Sequence, residues 1–98
     1  MIDEGDGTVR TFEREAFTDG ETLFDFTRRI ALREGFNLLY EPPGEFGILI
    51  TEIAEKKNGA DGKYWLYWVG NHMGEVAADR YELEPGDVIE WKFINLKF

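Results

Sequence analysis

The stretch Lys63 to Phe93, KYWLYWVGNHMGEVAADRYELEPGDVIEWKF, decides how this chain is read. It opens with a run of large apolar or aromatic side chains, Tyr64 to Val69. Strand side chains alternate between faces, so Trp65, Tyr67 and Val69 share one side and Tyr64, Leu66 and Trp68 the other. Both sides carry aromatics. Either the strand is covered on both faces, by a helix on one and loops such as Pro42-Pro43 on the other, or one face stands open as a recognition platform. Gly70-Asn71-His72 reads as a tight turn, and Glu84-Pro85-Gly86-Asp87 as another, which Asp87 fastens by accepting backbone N–H groups. Val88, Glu90, Lys92 and Ile94 then alternate with Ile89, Trp91 and Phe93 in a closing strand.

Working outward, Thr18-Asp19-Gly20-Glu21 offers an N-cap with a Glu at capping-box spacing, so a helix is expected from Glu21 or Thr22. Leu23, Phe26, Ile30 and Ala31 form its apolar stripe, Asp25, Arg28, Arg29 and Arg33 its solvated side, and Gly35 its end. Phe36, Leu38 and Tyr40 alternate with Asn37, Leu39 and Glu41 until Pro42-Pro43-Gly44, which should force a turn. Phe46 to Ala54 is the next strand, and Lys56 to Lys63 a polar hairpin loop with Asn58-Gly59 and Asp61-Gly62. Met1 to Gly7 is expected to be a flexible acidic terminus, and Thr8 to Phe17 one bent strand or a short hairpin. Val76 to Arg80 reads as a connection and Tyr81 to Leu83 as a short extended piece. One helix among about five strands gives an α+β fold. The β-grasp (ubiquitin-like) arrangement, a mixed sheet packed across one helix, fits best, with residues 8–98 as a single domain.

Composition narrows the function classes. Eleven basic against twenty acidic residues give a net charge of −9, which repels nucleic acid and anionic lipid surfaces. Aromatic residues at 15% mark a folded chain, since disordered ones are poor in them. Cysteine, serine and glutamine are absent, which excludes disulfides, thiolates and serine nucleophiles. With six threonines and one histidine, His72, no catalytic triad is assembled, and the carboxylates lie on turns and helix faces without a shared cleft. No enzyme is expected. Asp79, Glu82, Glu84 and Asp87 match no calcium-loop spacing. His72 stands either in solvent or, less simply, as a cobalt ligand. No segment shows the apolar run of a signal peptide or membrane span.

Tyr64-Trp65-Leu66-Tyr67-Trp68-Val69-Gly70-Asn71, then Gly74 to Ala78, then Leu83-Glu84-Pro85-Gly86-Asp87-Val88-Ile89-Glu90-Trp91-Lys92-Phe93, resembles a known family. It is similar to the β-grasp domain at the C-terminal end of the transcobalamin and intrinsic-factor cobalamin carriers, which recurs in secreted or surface-anchored prokaryotic proteins. The similarity begins near Gly20-Glu21-Thr22-Leu23. The family places Asn before Gly in the turn after the aromatic strand, whereas here Gly70 precedes Asn71. The resemblance implies a non-enzymatic, extracytoplasmic binding module that closes over a corrinoid ring (cobalamin) together with another domain, with no covalently bound cofactor. The candidate ligand-binding residues are Tyr64, Trp65, Tyr67, Trp68, Asn71 and His72. The competing expectation is a protein-interaction or structural module acting through a sheet face, or through a sheet edge that accepts another chain.

Overall fold

A computed structural model describes residues 1–12, 17–45 and 47–95. In chain order its elements are β1 (Ile2–Asp3), β2 (Val9–Arg10), α1 (Leu23–Glu34), β3 (Leu38–Gly44), β4 (Gly47–Ile53), β5 (Lys56–Lys57), β6 (Lys63–Val69), β7 (His72–Met73) and β8 (Ile89–Asn95). Among the described residues there is one α-helix with two sheets, an α+β fold. The larger sheet runs β2-β1-β8-β6-β7 and the smaller β3-β4-β5.

The helix forms where its stripe predicts, but Thr22 caps it: the Thr22 hydroxyl accepts from the Asp25 amide at 3.1 Å. Thr18 is not the N-cap. Its amide donates to Glu21 Oε1 and its carbonyl accepts from the Glu21 amide, so that spacing closes a turn one step upstream. Gly35 ends α1 at φ 75°, the left-handed conformation glycine adopts without cost. Leu23, Phe26, Ile30 and Ala31 are buried as expected, and Phe24 and Thr27 join them.

Three expectations about strands are corrected. Within Met1 to Gly7, Ile2 and Asp3 are a strand, parallel to β8 at Trp91 and Lys92, and Ile2 is buried. The partner lies at the far end of the chain, so no local pattern announces it. Among the described residues between Thr8 and Phe17, only Val9–Arg10 is strand; Glu13 to Ala16 lie outside the described residues. Pro42-Pro43-Gly44 does not turn the chain: β3 stays extended to Gly44, which pairs with Gly47. The ladder is irregular between Glu41 and Gly44, so two residues without N–H groups interrupt no regular pairing.

One face of the larger sheet makes the core. Trp65, Tyr67 and Val69 of β6 and Ile89, Trp91 and Phe93 of β8 are buried there with the helix residues and with Ile50 and Ile53 of β4. Trp91 donates its indole N–H to the Thr27 hydroxyl at 3.0 Å, and that hydroxyl donates to the Leu23 carbonyl at 2.8 Å. Asn58 joins the sheets: its Nδ2 donates to the Ile50 carbonyl at 2.8 Å and its Oδ1 accepts from the Trp65 amide at 2.9 Å. The edge of β6 beyond the reach of β7 is thereby closed by a side chain. Residues 81–83 hold the helix entry, with the Leu23 amide on the Tyr81 carbonyl and the Leu83 amide on the Glu21 carbonyl, both at 2.9 Å.

Candidate binding face

Strand β6 resolves the two-faced aromatic run. Trp65 and Tyr67 are 5% and 6% exposed, whereas Tyr64 is 44% exposed. The inward pair is committed to structure. Trp65 donates its indole N–H to the Lys56 carbonyl at 2.8 Å and stacks, tilted, on Phe93 with centroids 5.1 Å apart. Tyr67 donates to the Val76 carbonyl and lies 5.4 Å from Trp91. Burial raises the Tyr67 phenol above its ordinary pKa. Neither aromatic offers a surface to a ligand.

The outward set is built by register. Tyr64 sits opposite Ile94, Leu66 opposite Lys92, and Trp68 opposite Glu90 on β8. On the other side Trp68 pairs with Met73, which is 47% exposed. Beyond β8, Lys92 pairs with Asp3, and Asp3 with Val9, so the row continues to the far margin of the sheet. Lys92 Nζ lies 4.9 Å above the Trp68 ring and 3.5 Å from a Glu90 carboxylate oxygen. The result is an apolar band of Tyr64, Leu66, Trp68, Ile94 and Met73 crossed by one cation and one carboxylate.

Of the six residues singled out by sequence, this face brings together Tyr64 and Trp68. Trp65 and Tyr67 lie on the core side. Asn71 is exposed in the turn at φ 69°, and His72 pairs with Val69, which puts it on the opposite side from Trp68. Met73, Glu90, Lys92 and Ile94 complete the face. The alternation of β8 separates its outward residues in the sequence, but which of them meets Trp68 depends on register.

The fold and this face define a small α+β domain with a partly exposed aromatic sheet surface. Residues 20–95 match the model of a domain of unknown function, DUF4430, and the chain belongs to that family. A crystal structure from Ruminococcus gnavus ATCC 29149, named a "putative metal binding protein", has a similar fold. Its TM-score is 0.73 at 24% identity, covering 98% of this chain and 93% of that one. No curated protein matches the chain.

Proposed function

We propose that this chain is a non-enzymatic binding module working through the open face of its larger sheet. The observation that carries the reading is the outward row of an exposed Tyr64 with half-buried Leu66 and Trp68, on a strand whose other side is fully packed. Leaving that much apolar surface in water forgoes burial worth about 25 cal/mol per Å², which a partner recovers. An exposed aromatic row of this kind suits an apolar surface presented by another body. The resemblance to the transcobalamin β-grasp domain supplies the class: a corrinoid held against the sheet by a second domain, in an extracytoplasmic setting. Lys92 and Glu90 would serve the polar periphery of such a ring. The acidic excess argues against nucleic acid as partner. Metal binding, the character in the structural neighbour's name, has no ligand set to rest on: among the described residues no group of three or more His, Cys, Asp or Glu side chains converges.

Titration with cyanocobalamin, followed by tryptophan quenching and calorimetry, tests this. Saturable quenching is expected, and Trp68→Ala, which removes a side chain from the outer face, should abolish it while the fold persists. Silence in both signals at millimolar concentration would remove corrinoid binding by this chain alone and leave only a site completed by a second domain. A protein partner on the same face is the second reading. It is favoured by Val9 and Met73, 49% and 47% exposed, which carry apolar surface to the two margins of the sheet. In that case cyanocobalamin is silent, and an apolar dye bound by the native domain is released by Trp68→Lys.

A further inference from the structure

A second, separate feature lies on the core side. On that side, residues of β1, α1 and the start of β8 line a common space. A cavity of about 460 Å³ opens there, walled by Phe12, Phe17, Phe26, Ile30, Val88 and Trp91. That volume falls within the range that holds a small organic ligand, roughly 300–1,000 Å³.

The chemistry of the wall selects the class of occupant. Phe17 meets Phe26 edge to face, centroids 5.0 Å apart at 89°, and Trp91 supplies a further ring. Three polar groups at the wall make hydrogen bonds within the fold. The Thr27 hydroxyl both donates and accepts, Asp87 Oδ2 accepts from the Glu84 amide at 2.8 Å, and the Met1 ammonium donates to the Ile89 carbonyl at 2.8 Å. The wall is mainly apolar and aromatic, so a charged ligand would lose more hydration on entering than an uncharged ring. From these observations we infer that the cavity is a binding site for a compact, uncharged aromatic molecule, distinct from the open sheet face and independent of what binds there.

Three probes that share one ring test this: indole, tryptamine and indole-3-acetate, each titrated into the intact chain with methyl chemical shifts as readout. Indole is expected to shift the methyls of Ile30, Val88 and Ile89 saturably and to bind about tenfold tighter than either charged probe. Val88 is 62% exposed at the rim, so Val88→Trp should block entry without unfolding the domain and weaken indole about tenfold. Intermolecular NOEs from indole to Ile30 and Trp91 provide a check that needs no variant. The inference is overturned if these methyls do not respond at millimolar indole, if binding survives Val88→Trp in a folded protein, or if a charged probe binds as tightly as indole.

Discussion

Gly74 is held against the Tyr67 ring so closely that a Cβ on it would overlap the ring carbons. Its amide donates to the Tyr67 carbonyl at 2.8 Å, which fixes the backbone over that ring. The requirement is steric, since Gly74 is not among the residues with positive φ. Gly74→Ala is therefore expected to destabilise the domain by about 1–3 kcal/mol in urea unfolding, the cost of overpacking a filled site. Gly44→Ala is the control: nothing lies within 4 Å of a Cβ there, and its effect should stay within about 0.5 kcal/mol. Equal effects would show that Gly74 does not serve the Tyr67 ring. The sequence shows a glycine after the aromatic strand, but which ring it must accommodate depends on a hairpin contact.

At the scale of elements, α1 and β8 are joined by more than apolar contact. Thr27, on the buried side of the helix, accepts the Trp91 indole N–H, and both residues are at most 4% exposed. Thr27→Val keeps the shape and leaves that donor without a partner away from water. A loss of about 1–3 kcal/mol in stability is expected, with a changed near-ultraviolet signal from Trp91. Thr27→Ser, which keeps the hydroxyl, should recover most of the loss; failure to recover would assign the effect to packing instead. The apolar stripe of α1 was legible because helical spacing is a local property, and so was the alternation of β6 and β8. Thr27 was not, because a threonine on an apolar stripe carries no sign of the indole it will meet. Strand β1 was hidden for a related reason: two residues paired in parallel with the last strand have no turn signal beside them.

Across the whole molecule, the N-terminal segment is tied to both sheets. Lys56 on β5 pairs with Asp6 at 3.0 Å, and Lys63 on β6 donates to the Gly5 carbonyl at 3.0 Å. The Thr8 amide, and after it Lys56, hold the Asp6 carboxyl down at about 2 from an ordinary 3.8. A carboxyl with a depressed folded value stabilises the fold above its unfolded pKa, and that contribution disappears as pH falls through the folded value. Asp6→Asn should thus lower the melting temperature near neutral pH, and the gap to the parent should close between roughly pH 4 and pH 2. A gap that stays constant over that window would remove the Asp6 carboxylate from the account. By itself the sequence determined the helix with its buried stripe, the two-faced character of the Tyr64 to Val69 strand, and the turn that Asp87 fastens, because each depends on periodicity or on neighbours within a few residues. Only the tertiary structure decided which face of that strand stays open, that Trp65 and Tyr67 belong to the core, that His72 points away from Trp68, and that Lys92 lies over it. Those depend on strand order and register, which are set by pairing between segments distant in the chain and by how far one helix and a short second sheet can cover a broader one.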